Sequence, residues 1–237
     1  MPPPLPAEPM NQVGLWGELI AYGSGVSLSP IHIGLLFLLL LGANPLRRGG
    51  LFVLGWMVTI ALMVGLLLTV GHGFLLSMEQ GTSHRTGLDL LGAGALLALG
   101  LRELLPSKQG LKEPPAWSKQ LDRLSSLPLP LLIGASAGLE VISPDDVFLV
   151  AKAAAALLAA GLAWRQEWIL AALFTVAASL LLLLPYLAVV LNRQGILPLL
   201  ERGKALLLAR SDLVVGGLSL ALAGYLGWQG IEGLRLS

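Results

Sequence analysis

Cysteine is absent from this chain of 237 residues, which removes disulfide frameworks, thiolate metal sites and thiol redox chemistry while leaving the compartment open. Charge is scarce as well. Only 12% of the residues are Asp, Glu, Lys or Arg, against about 25% in a soluble domain whose surface faces water. The net charge of +1 gives neither the basic surplus that binds nucleic acid nor an acidic tail that would buffer metal ions. No glycine-rich phosphate loop followed by Lys is found, which argues against ATP-driven pumping by this chain. The N-terminal stretch has several prolines and no Lys or Arg, so it lacks the basic start of a secretory signal. Residues 1–15 read as an extended, extracytoplasmic Pro-rich tail.

What is abundant is apolar: 55% of the residues are hydrophobic and the mean hydropathy is +0.80. About 20 consecutive apolar residues are needed to cross about 30 Å of hydrocarbon as a helix. Such windows fall at 16–41, 51–70, 88–105, within 129–162, at 168–191 and at 213–231. They predict an all-α polytopic membrane protein of about six transmembrane helices. The short alternating segments of a β-barrel are missing. A polar stretch at 106–127 separates a first three-helix unit, 16–105, from a second, 128–237.

Lys and Arg are unevenly spread over the connections. Arg47, Arg48, Arg102, Lys108, Lys112, Lys119, Arg123, Arg193, Arg202, Lys204 and Arg210 fall on one side, and only Arg85, Arg165 and Arg235 on the other. By the positive-inside rule the loops after helices one, three and five are cytoplasmic, and both termini are extracytoplasmic, in a cell (plasma or inner) membrane. Trp16, Trp164, Trp168 and Trp228 fall near outer boundaries and Trp56 near an inner one, as an interfacial belt requires.

The two units resemble each other. Ser29-Pro30 in the first span recurs as Ser143-Pro144 in the fourth, and Asp89 and Asp212 open the third and sixth, where each is expected to cap a helix start. Three spans per unit is an odd number, so the second copy is inverted, a common plan among secondary transporters. Proline inside a span removes a backbone donor and breaks the helix, which marks helices one and four as proline-broken at mid-membrane. Half-helix ends at such breaks can hold an ion or a polar group.

The charged residues inside spans gather at the same places. Asp145 and Asp146 follow Pro144, Glu140 stands one turn before it, and Lys152 follows in the same span. Intramembrane acids are costly and normally face a cavity or a partner, although one of them at a helix start is also a natural cap. Lys152 lies about two turns from Asp145, placed either as its counter-charge or snorkelling to the interface. His32 takes the position of Asp146 under the repeat and is a candidate proton-relay partner. The substrate- or ion-binding candidates are therefore Ser29, Pro30, His32, Glu140, Ser143, Pro144, Asp145, Asp146 and Lys152. Arg47 and Arg48 are candidates for topology or head-group contact. His72 and His84 lack metal-ligand spacing, and neither a metal nor another cofactor is expected. Gly92, Gly94, Gly216, Gly217 and Gly224 would let helices three and six pack closely.

Ser29-Pro30, the turn Asn44-Pro45-Leu46-Arg47-Arg48, Leu54-Gly55-Trp56 and Ser143-Pro144-Asp145 resemble the GAP family, which addresses peptidoglycolipids to the cell surface, within the LysE superfamily of exporters. The resemblance implies a six-helix, two-repeat exporter of lipids, amino acids or ions. The acidic pair after Ser143-Pro144 departs from the Asn-Pro of amino-acid exporters, which argues against an amino-acid substrate. The expectation is a secondary exporter of a lipid-linked or small polar or ionic substrate, with membrane lipids as partners, a proton or cation as coupling ion, and a homo-oligomer as one form. The competing readings are a cation exporter and a non-transporting accessory of a lipid-export or envelope-assembly complex. An enzyme is not expected, because adjacent acids on one helix point about 100° apart and make a poor dyad.

Overall fold

The structure, a computed structural model, describes residues 12–72, 82–105 and 123–236. The described residues are helical, with no strand among them. In chain order they form α1 (Gln12–Ser27), α2 (Pro30–Leu41), α3 (Pro45–Gly71), α4 (Ser83–Leu104), α5 (Leu129–Ile142), α6 (Pro144–Ala159), α7 (Trp164–Ala178), α8 (Leu180–Ala209) and α9 (Ser211–Leu236). Most of the expected tail and linker lies outside the described residues, but residues 12–15 already belong to α1 rather than to an extended tail.

The first break follows from Pro30, which cannot donate to the carbonyl of Val26. The chain leaves helical geometry at Ser29 (φ −70°, ψ 111°), and α1 and α2 meet at a bend of 58°. Pro144 acts in the same way on the carbonyl of Glu140, and Ser143 is extended (φ −77°, ψ 103°) between α5 and α6. Asn44 ends the turn before α3 with a left-handed φ of 54°, a conformation that Asn tolerates better than most residues. Gly161, with φ 58°, closes α6 in the way helix C-termini commonly use glycine.

Helix α3 is apolar on every side. Phe52, Trp56, Ile60, Val64 and Leu68 point into the core, while Leu54, Val58, Leu62, Leu66 and Val70 are exposed along the opposite face. A helix of this kind on the outside of a protein belongs in lipid, since leaving a large apolar side chain in water forfeits about 1.5–3 kcal/mol. Among the described residues, Pro45–Gly71, Leu180–Leu207 and Leu213–Leu236 are long and apolar enough to cross a membrane, and the bent pair α1–α2 makes a fourth where it counts as one span. Alone, α5, α6 and α7 are too short at 14, 16 and 15 residues to cross about 30 Å.

Three further sequence expectations are corrected. The span at 168–191 is interrupted at Ser179, where α7 gives way to α8. Its cause is local: the Ser179 hydroxyl donates to the Thr175 carbonyl at 2.7 Å and the Thr175 hydroxyl to that of Ala171 at 2.9 Å, and such back-bonding bends helices. The loop expected after residue 191 is helical to Ala209, with a kink at Asn192 (φ −150°, ψ 77°). Trp56 is no belt residue but fully buried.

Candidate functional site: an ionisable cluster at two proline breaks

The two breaks bring three ionisable side chains together. His32 lies in the first turn of α2, Glu140 in the last turn of α5 and Asp146 in the first turn of α6. Their relative exposures are 2%, 0% and 1%. One ligand atom from each lies within 4.8 Å of the others. The helix dipole favours negative charge at the start of α6, where Asp146 sits.

The surroundings orient these groups without saturating them. His32 Nδ1 and Ser29 Oγ are 2.7 Å apart, so Ser29 serves the imidazole rather than capping α2. The Trp56 ring meets the imidazole edge-on, with centroids 4.1 Å apart. Ser136 donates to the Phe52 carbonyl at 2.9 Å, tying α5 to α3 beside the cluster. Yet His32 Nε2, both carboxylate oxygens of Glu140 and Asp146 Oδ2 are buried without a protein hydrogen-bond partner. Buried polar atoms are almost always paired, and uncompensated carboxylates in a low-dielectric interior are very costly. The arrangement is suited to holding protons or a cation.

A second polar group joins α1, α4, α6 and α9. Arg85 donates to Glu18 at 2.7 Å and its Nε is 4.0 Å from Asp89. Lys152 is ion-paired with Asp89, and its ammonium lies 5.8 Å from the centre of the Tyr22 ring. Gln229 donates to Glu18 at 3.2 Å and to the Tyr225 hydroxyl at 3.1 Å, and accepts from Tyr22 at 2.9 Å. Two acids and two bases balance one another here, unlike the first cluster.

The family model of Sap, the sulfolipid-1-addressing protein, matches residues 19–232. The chain belongs to this family. The match agrees with the resemblance to lipid-addressing proteins carried by the Ser-Pro and Asn-Pro motifs. No curated protein and no solved structure matches the chain.

In this member of the sulfolipid-1-addressing family, the residues singled out in the sequence divide into those the breaks gather and those they do not. Ser29, His32, Glu140 and Asp146 meet, with Pro30 and Pro144 opening the half-helices; of Pro144 only the backbone is described. Asp145 does not join them; it is exposed and accepts from Ser143 at 3.0 Å. Lys152 is not the counter-charge of the acidic pair, because Asp89 on α4 offers a direct partner while Asp145 lies about two turns away. Asp89 is likewise no cap: α4 starts at Ser83, and Asp89 is buried in its interior. Asp212 lies in the first turn of α9, and its side chain and that of His84 fall outside the described residues.

Arg47 is exposed, whereas Arg48 donates to the carbonyls of Ser125 and Leu127, the latter at 2.8 Å, fastening α3 to the approach to α5. His72 pairs with Glu167 at 3.2 Å. Sequence reasoning missed Glu18, Tyr22, Arg85 and Gln229. The usable signal was the spacing of four between Arg85 and Asp89, which places opposite charges on one helix face.

Proposed function

We propose that this chain is a secondary exporter of lipid-linked cargo, coupled to a proton or cation at the cluster of His32, Glu140 and Asp146. One observation carries the proposal: two proline breaks from different parts of the chain meet, and they bury three ionisable side chains with unpartnered atoms. Broken helices that converge on a polar centre are the arrangement by which secondary transporters hold coupling ions. The family description supplies the cargo class, a lipid. Two acids repel an anionic head group, so the cluster is assigned to the coupling ion, with the lipid tails against the apolar exterior of the helices.

The crossings are read as six, in two inverted units: α1–α2, α3 and α4, then α5–α6, α7 with the first part of α8, and α9. Exchanged packing partners support this plan. Helix α3 lies on α5 as α7 lies on α1, α3 meets α6 as α8 meets α2, and α4 pairs with α9. Both termini are read as extracytoplasmic, a reading that the uneven spread of Lys and Arg supports. The chain is read as a carrier and not as an enzyme, with membrane lipids as partners and no other cofactor for the transfer itself.

The test is leaflet-to-leaflet transfer of a labelled sulfolipid by purified protein in vesicles. Glu140→Gln and Asp146→Asn are each expected to lower the rate at least about tenfold, or about 1.4 kcal/mol, while remaining folded. Full transfer by both variants would overturn the coupling role. Absence of transfer by the native protein would favour the accessory reading. Because Ser29 touches His32, labelling of Ser29 by a serine-hydrolase probe would replace the carrier with an enzyme.

A further inference from the structure

The chemistry of the cluster is more specific than that of a generic coupling site. Glu140 and Asp146 supply carboxylate oxygens and His32 one imidazole nitrogen, with the chosen atoms within 4.8 Å of one another. For three atoms so spaced there is a point within about 2.8 Å of all of them, and first-row metal bonds to His nitrogen and carboxylate oxygen run about 2.0–2.2 Å. Side-chain shifts of at most about 0.6–0.8 Å would close that shell. His32 Nε2, both oxygens of Glu140 and Asp146 Oδ2 are unpartnered, on residues that are 98% buried or more by the exposures given above.

Charge and donor type narrow the ion. Two carboxylates in a hydrocarbon-surrounded core are neutralised by a dication, whereas a monovalent ion leaves one charge bare. Hard ions such as Ca²⁺ and Mg²⁺ prefer oxygen shells, while imidazole suits first-row transition metals and carboxylate extends the range to Mn²⁺. Lys152, the ammonium on α6, is committed to Asp89 and does not compete. Ser29 fits the role of outer-shell support: with Nδ1–H donating to its hydroxyl, the lone pair is left on Nε2, the ring nitrogen that has no protein partner.

We propose that His32 Nε2, Glu140 and Asp146 bind one divalent first-row transition metal ion, with Mn²⁺ and Zn²⁺ best matched to the donors. The proposal rests on the reading of this cluster as an ion site, and it is independent of the lipid cargo.

The full chain, purified in detergent and stripped with a chelator, is titrated with Zn²⁺ by calorimetry and with Mn²⁺ by loss of the free-ion paramagnetic resonance signal. One ion per chain is expected. Glu140→Gln, Asp146→Asn and His32→Gln are each expected to weaken binding at least about a hundredfold, and Ser29→Ala about 10–100-fold. Asp145→Asn removes the same charge one residue away on an outward-facing side chain and is expected to stay within about threefold of the native protein. Thermal unfolding of each variant reports whether it folds, and Ser29→Ala keeps the test open if a ligand variant does not.

Native protein without a stoichiometric site, or acid variants that bind as the native protein does, would overturn the proposal. If no metal binds while both acid variants lose lipid transfer, the metal assignment fails and the exporter reading stands. If metal binds through these three residues and transfer survives their loss, the metal site stands and the coupling role fails.

Discussion

Lys152 and Asp89 show how a buried charge in this chain is held. Both are nearly inaccessible, with side-chain exposures of 6% and 2%, and each is the other's close counter-charge. Removing one member of such a pair leaves the other uncompensated, at a cost of about 3–5 kcal/mol, whereas removing both is far milder. Lys152→Met alone is therefore expected to lower the thermal unfolding midpoint in detergent markedly, and Lys152→Met with Asp89→Asn to recover much of the loss. Additive losses in that cycle would show that the pair is not coupled. The pair was illegible in the sequence for a physical reason: helical periodicity reports neighbours on one helix, and Asp89 reaches Lys152 across an interhelical gap. His32, Glu140 and Asp146 were legible because mid-span ionisable residues beside proline are rare and costly. Their convergence was not, since it depends on how the broken helices fold back on each other.

At the scale of the element, the two Ser-Pro steps act by removing a backbone donor, and restoring it is a direct experiment. Pro30→Ala and Pro144→Ala each return an N–H opposite the carbonyl four residues back and remove the ring that keeps the two half-helices from joining. Each variant is expected to fold and to unfold no more easily than the native protein, yet to transfer lipid poorly, because straightening carries His32 or Asp146 away from its partners. Native transfer rates in both variants would show that the breaks are not needed. The breaks were readable from the prolines alone, while the interruption at Ser179 was not, because it arises from hydroxyl back-bonding with no proline to announce it.

Close packing of α4 on α9 shows a similar division. A Cβ on Gly100 would come within 3.0 Å of the Gly216 carbonyl, and one on Gly216 within 3.2 Å of the Gly100 carbonyl, so two backbones touch there. Of the glycines expected at this seam, Gly92 and Gly216 would meet side chains of the partner helix or its neighbours, while Gly94, Gly217 and Gly224 face open space. Gly100→Val is expected to separate the helices and destabilise the protein, and Gly94→Val to be tolerated; thermal unfolding of the two variants compares them.

For the whole molecule, the exposed stripe of α3 and the uneven Lys and Arg distribution argue one orientation in one solvent. The exposed apolar side chains require lipid around the bundle, and the proposed orientation puts the basic-rich end of the bundle at the cytoplasm. The absence of cysteine makes this choice directly measurable, because a single introduced thiol is the only target for a thiol reagent. Ala163→Cys, in the exposed turn between α6 and α7, is expected to react with a membrane-impermeant maleimide on intact cells. Ala43→Cys, in the exposed turn before α3 beside Arg47 and Arg48, is expected to react only after the membrane is permeabilised. The two turns also discriminate the count of crossings. In the proposed six-crossing plan they follow the first and the fourth spans, so opposite sidedness requires an odd number of crossings between them, which α3, α4 and the paired α5–α6 would provide. Equal labelling of both positions from outside would mean that one of those three does not traverse the bilayer, and the inverted relation of the two units would fall with it.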